Sequence, residues 1–170
     1  MTARTLGGMG LALFLAAMPA EAIENRLGMG VHLWVPAGDL QDRPGGWDDK
    51  DLTALVSYQL VLLRPLKLEM DMEYFPNGFG HSGVAAVFPQ GLIVAGDRFY
   101  AAVGAGWIYS WNPLGNFSDI VYIARLGTDL PLRGPLRLDV SASRLAPDVN
   151  ELTEVSEETV TFAAVLRLRL

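Results

Sequence analysis

Apolar and polar residues alternate one for one along most of this chain. Leu66, Leu68, Met70, Met72 and Tyr74 fall on one face of such an alternation, and Lys67, Glu69, Asp71 and Glu73 on the other. A helix would scatter those charges around its axis, whereas a strand separates them completely. At the C-terminus Val160, Phe162, Ala164, Leu166, Leu168 and Leu170 oppose Thr161, Ala163, Val165, Arg167 and Arg169. Leu136, Leu138, Val140 and Ala142 oppose Arg137, Asp139, Ser141 and Ser143. Near the start Leu27, Met29, Val31, Leu33 and Val35 oppose Arg26, Gly28, Gly30, His32 and Trp34. In the middle Phe99, Ala101, Val103, Ala105, Trp107 and Tyr109 oppose Tyr100, Ala102, Gly104, Gly106, Ile108 and Ser110. The period predicts eight strands, over residues 26–36, 52–63, 66–75, 82–94, 98–111, 117–128, 136–145 and 158–170. Pro89 interrupts the fourth and predicts a bulge or an irregular stretch there. In the sixth only Arg125 marks a polar face.

The connections sort by length. The even-numbered ones, Arg64-Pro65, Ala95-Gly96-Asp97 and Asp129 to Pro135, are mostly tight turns. The odd-numbered ones, Ala37 to Asp51, Pro76 to His81, Asn112 to Asn116 and Ala146 to Glu157, are mostly longer, and the first and last are acidic. A barrel in a membrane has short turns on one rim and longer loops on the other. The pattern therefore predicts an all-β fold, an eight-stranded antiparallel up-and-down transmembrane β-barrel.

Periodicity alone does not decide which face is inside. Three features favour apolar side out. Trp34, Tyr74, Phe75, Trp107, Tyr109, Trp111 and Phe117 fall near the long-loop ends of their strands, and Phe99 and Tyr100 near the short-turn end. Two such groups make unequal interfacial belts, where amphipathic rings settle. The strands have the length of a tilted crossing, about 9 to 11 residues. The third feature is an export signal. Arg4 precedes the apolar run Met9 to Ala17, and Ala20-Glu21-Ala22 fits a small-residue cleavage site. Residues 1–22 read as a cleaved secretory signal peptide and residues 23–170 as the barrel. The apolar run is too short to span a bilayer as a helix, and no later stretch of 18 apolar residues exists.

Composition narrows the function classes. The 170 residues are 51% apolar and 19% charged, with no cysteine and a net charge of −6. That is too apolar for a disordered chain. The acidic balance argues against nucleic acid as a partner, which calls for a basic face. Zero cysteines exclude a disulfide scaffold, a thiol nucleophile and a lipidated N-terminal cysteine.

An eight-stranded barrel is just wide enough for its own side chains to fill. Lys67, Glu69, Asp71, Glu73, Arg125, Arg137, Asp139, Arg167 and Arg169 are the expected filling, a paired polar plug rather than a pore. Buried charges are tolerable only when paired and hydrogen-bonded. Gly104 and Gly106, with Ala102, are expected to leave room for long arginines from opposite strands. The G-x-G pairs Gly28-Met29-Gly30 and Gly104-Ala105-Gly106 lie within strands and open no helix, so they are not phosphate loops.

The whole pattern from Ile23 to Leu170 resembles the small outer-membrane β-barrel proteins, the group of the OmpA transmembrane domain, OmpX and OmpW-like barrels. Arg98 to Trp107 is similar to the aromatic-then-Gly/Ala strand of that group, and Phe162 to Leu170 to its C-terminal assembly strand. The group usually ends in an aromatic residue, whereas this chain ends in Leu170. The resemblance implies a Gram-negative cell outer membrane. It further implies outer-membrane lipids, lipopolysaccharide and the assembly machinery as partners, a monomer, and a structural, adhesive or stress-related role.

Some such barrels modify lipid A, which requires a hydroxyl nucleophile, a histidine base and an acidic orienter. His81-Ser82 is the tempting pair, but neighbours on a strand point to opposite faces, and the H-x-S spacing is absent because position 83 is Gly. His32 reaches Ser57 or Ser110 only in a register that the sequence does not specify. Asp39, Asp42, Asp48, Asp49 and Asp51 crowd one loop, and Asp148, Glu151, Glu154, Glu157 and Glu158 another, without a calcium-loop order. No catalytic residue, cofactor-binding residue, metal ligand or cofactor is expected. The competing readings are a lipid A-modifying outer-membrane enzyme and a secreted lipocalin-like carrier of an apolar ligand. The carrier would place Leu66, Leu68, Met70 and Met72 inside.

Overall fold

In a computed structural model the described residues are 24–34, 52–63, 65–79, 82–111, 116–148 and 160–170. They form strands β1 (Glu24–Leu33), β2 (Leu52–Leu63), β3 (Leu66–Phe75), β4 (Ala86–Gly96) and β5 (Phe99–Gly106). The short β6 (Tyr109–Ser110) and β7 (Asn116–Phe117) follow, and then β8 (Val121–Pro131), β9 (Leu136–Ala146) and β10 (Val160–Arg169). Each long strand pairs antiparallel with the next in the chain, β5 pairing with β8. β10 returns to β1, from Arg26 opposite Arg169 to Leu33 opposite Phe162. The eight long strands thus close into an up-and-down barrel in which each is paired on both sides.

The proposed signal peptide, most of the first and last long connections, and His81 lie outside the described residues. Among the described strands the boundaries match the alternation closely, with three corrections. The fourth strand starts at Ala86, not at residue 82, and runs unbroken through Pro89. The irregularity falls on its neighbour instead. β5 stops at Gly106, and the pairing resumes at Tyr109, opposite Val87. Proline has no N–H to give, so the ladder is interrupted on the partner beside it, where Trp107 N still donates to Pro89 O at 3.3 Å. The sixth strand is likewise split, into β7 and β8, and it continues to Pro131, which pairs with Arg137. Asp129 is thus a strand residue and not a turn residue.

The inside-outside assignment follows the charges. Lys67, Glu69, Asp71 and Glu73 are buried, whereas Met70 and Met72 are 60% and 47% exposed. Met29, Val103, Leu126 and Leu166 also face outward. The arrangement that a lipocalin-like carrier requires is therefore reversed. The turns β2–β3, β4–β5 and β8–β9 gather at one end with the two chain ends of the barrel. That end is stitched by backbone bonds from Gly96 N to Pro65 O, Asp129 N to Arg98 O and Leu170 N to Asn25 O, all 2.8 to 2.9 Å.

Candidate functional site

β3 supplies a ruler along the lumen, because Lys67, Glu69, Asp71, Glu73 and Phe75 point inward at successive depths from the short-turn end. The central layer is built on Glu69. It accepts Arg125 Nη1 at 2.8 Å, Arg167 Nη2 at 2.7 Å and Gln59 Nε2 at 2.7 Å. Arg125 also donates to Asp71 Oδ2 at 2.9 Å, and Arg167 to Asp139 Oδ2 at 2.6 Å. Tyr100 donates its hydroxyl to the other Asp139 oxygen at 2.8 Å. Two guanidinium groups thus tie three carboxylates across β3, β8, β9 and β10. Charge-assisted bonds of this length are the strong class of hydrogen bond.

Towards the long-loop end Glu73 collects neutral and histidine donors. His32 Nδ1 lies 3.0 Å from Glu73 Oε1 and Gln90 Nε2 donates to Oε2 at 3.2 Å. Trp34 Nε1 and Thr53 Oγ1 donate to Oε1 as well. The second ring nitrogen of His32 is 2.8 Å from Thr161 Oγ1. Carboxylate, imidazole and hydroxyl therefore stand in the order of an acid–base relay. Thr161, His32 and Glu73 are 6%, 3% and 0% exposed, so the three lie within the packed lumen. The histidine partner is Thr161, and neither Ser57 nor Ser110 takes that place.

Above this layer the lumen turns apolar. Phe75, Ala86, Phe88 and Ile108 are buried together, with Trp34 packed against them. Trp34 meets Phe75 at a tilt and Phe79 edge to face, at ring separations of 5.2 and 5.3 Å. Trp34, Phe75 and Tyr100 therefore leave the expected aromatic belts and point inward. Tyr74, Phe99, Trp107, Trp111 and Phe117 remain exposed on the outer wall. Parity decides between them, because Trp34 shares the face of His32, Phe75 that of Glu73, and Tyr100 that of Ala102.

At the short-turn end one carboxylate serves three cations. Asp129 is fully buried and accepts Arg26 Nη1 at 2.8 Å and Arg137 Nε at 2.7 Å, with Lys67 Nζ 3.6 Å away. Of the nine residues expected in the lumen, all but Arg169 line the interior. Arg169 is 62% exposed at the rim, 3.2 Å from Glu24. Five further lumen residues stand outside that expected filling: Arg26, His32 and Tyr100, which the alternation puts on the inward parity, and Gln59 and Asp129, which it does not.

The glycine assignment also needs correction. A Cβ on Gly104 or Gly106 would strike the backbone of β4, so those glycines admit a neighbouring strand and not an arginine. Clearance for Arg167 comes from Gly28, where a Cβ would meet Arg167 Cγ at 2.9 Å. Clearance for Tyr100 comes from Gly127, where a Cβ would meet its ring at 2.5 Å.

Of the two acidic loops only Asp148 falls among the described residues. Compared with protein-family models and with curated proteins, the chain matches none.

Proposed function

We propose that this chain is an integral outer-membrane barrel with a structural or surface-interaction role, closed by its own lumen network and without a catalytic site. The observation that carries this reading is the inversion of the two faces. Most ion pairs and their acceptors lie inside, and the exposed outer wall is rich in Leu, Met, Val and Phe. Soluble monomers rarely leave apolar patches above a few hundred square ångströms uncovered, and an alternating apolar wall with a polar interior suits a bilayer. The closed sheet supports it, since only closed barrels satisfy all backbone groups in lipid when strands do the spanning. Exposed Trp107, Trp111 and Phe117 at one end and Phe99 at the other fit interfacial belts. On this reading the chain is akin in kind to the small outer-membrane barrels named above. Lipids and lipopolysaccharide surround it, and the barrel works as a monomer.

The test is fractionation with gel mobility. Expressed with its N-terminal segment, the protein is expected in the outer-membrane fraction and to migrate faster unboiled than boiled. A soluble periplasmic protein without a mobility shift would overturn the reading.

A second expectation concerns conduction. The Glu69, Arg125, Arg167 and Asp139 layer crosses the lumen, and Phe75, Phe88 and Ile108 stack above it. In planar bilayers the purified protein is expected to give no steady single-channel current. A large, ion-selective conductance would refute the plug.

A further inference from the structure

The short-turn end of the lumen opens into a basin of about 620 Å³. We infer that this basin is a binding site for a small dianionic oxyanion of the phosphate-monoester class, taken from solution. The inference stands on the geometry of the lumen, whatever medium surrounds the wall.

The argument begins with charge. The basin is lined by Arg26, Lys67, Arg98, Arg137 and Arg169, against Glu24, Asp97 and Asp129. Five cations against three carboxylates leave an excess of two positive charges. On the floor Arg26, Lys67 and Arg137 gather around the carboxylate of Asp129, and Arg26 pairs with Glu24 as well. The central layer above has the opposite balance, two arginines against three carboxylates, and so offsets one of these positive charges. Burial without compensation is costly for a cation. Arg26 is 6% exposed and Lys67 2%, so solvent relieves little of it.

Donor capacity gives the same answer. Arg26 commits Nε to Glu24 and Nη1 to Gln59 and Asp129, leaving Nη2 without a hydrogen bond among the described residues. Arg137 commits Nε to Asp129 Oδ1 and Nη2 to Asp129 O, leaving Nη1 in the same state. Lys67 has three N–H groups and only distant acceptors, Asp97 O at 3.4 Å and Asp129 Oδ2 at 3.6 Å. Two guanidinium edges and one ammonium group thus converge around Asp129 with donors to spare. A tetrahedral oxyanion presents several acceptor oxygens in diverging directions, and its negative charge suits the cationic excess of the lining. Guanidinium forks and the ammonium point charge are the side chains that hold such groups. Pro131, Leu132 and Pro135 form an apolar lip around the entrance, which leaves space for the organic part of a monoester.

The experiment is calorimetric titration of inorganic phosphate into the full chain, folded in a non-ionic detergent at low salt. Lys67→Met and Arg137→Gln are compared with wild type, and Arg144→Gln, at the long-loop end of β9 and outside the basin lining, is the control. Folding of each variant is checked by the unboiled gel shift. Arg137 lies at the partly exposed edge of the basin, so its variant keeps the test open if Lys67→Met does not fold. Wild type is expected to bind phosphate saturably, with affinity lowered about tenfold or more in either basin variant, the scale of one lost charge-assisted contact. Arg144→Gln is expected to bind as wild type does. Absence of saturable heat, or equal affinity in all four proteins, would overturn the site. In nanodiscs containing phosphatidylglycerol the same phosphate heat is expected. Its abolition there would show that a lipid headgroup occupies the basin, which overturns the assignment to a soluble anion.

Discussion

Replacing Arg167 by methionine is expected to lower the unfolding free energy of the barrel by about 3–5 kcal/mol, the scale of removing one partner from a buried ion pair. Arg167 is 1% exposed and holds two carboxylates, Glu69 at 2.7 Å and Asp139 at 2.6 Å. Its loss leaves three buried carboxylates of the central layer facing Arg125 alone. Glu69→Gln gives a smaller loss, about 1–3 kcal/mol, because Arg125 keeps Asp71 and the wild-type Arg167 keeps Asp139. The two losses are therefore ordered by charge balance and not by the number of bonds removed, since Glu69 accepts more bonds than Arg167 gives to carboxylates. Urea titration in detergent, followed by the unboiled gel band, measures both. Equal losses would mean that packing volume and not charge pairing holds the lumen.

How far that network was legible in the chain depends on how the charges are spaced. On β3 four charged residues alternate with apolar ones without a break, so their common direction follows from the strand period alone. Arg125, Asp139 and Arg167 follow in the same way. Asp129 was hidden by composition. Pro131 and Gly134 follow it closely and signal a turn, but the register carries β8 on to Pro131 before the chain reverses. Tyr100, Trp34 and Phe75 were hidden by residue type, because aromatic rings near strand ends suit an interfacial belt. Their parity places each on the face of a lumen residue, and across the barrel Gly127 has no side chain where the Tyr100 ring sits. Small residues opposite large ones are how a narrow barrel interior is filled. Partners that lie far apart in the chain, such as His32 with Glu73 and Thr161, depend on barrel closure and shear, which alternation does not encode.

The apolar wall is the other half of the argument, and Met70→Arg tests it with an effect of comparable size. Met70 is 60% exposed near the middle of β3, paired across to Tyr58 on one side and Gly91 on the other. Leu68, Ile93 and Val103 share the same shallow outer groove, so a guanidinium placed there faces apolar neighbours. In a bilayer an outward arginine near the midplane costs about 2–4 kcal/mol, whereas at an exposed position in water a substitution of this kind stays within about 0.5 kcal/mol. Met70→Leu changes neither charge nor volume greatly and is expected to be close to neutral in both media. The comparison is unfolding in phosphatidylcholine vesicles against unfolding in a detergent whose micelle thins readily around a charge. A penalty for arginine that is large in vesicles and reduced in detergent means that the wall is solvated by hydrocarbon. Near-neutral behaviour in both would mean that the exposed methionines and leucines face water or a protein partner, and the outer-membrane assignment would fall with them.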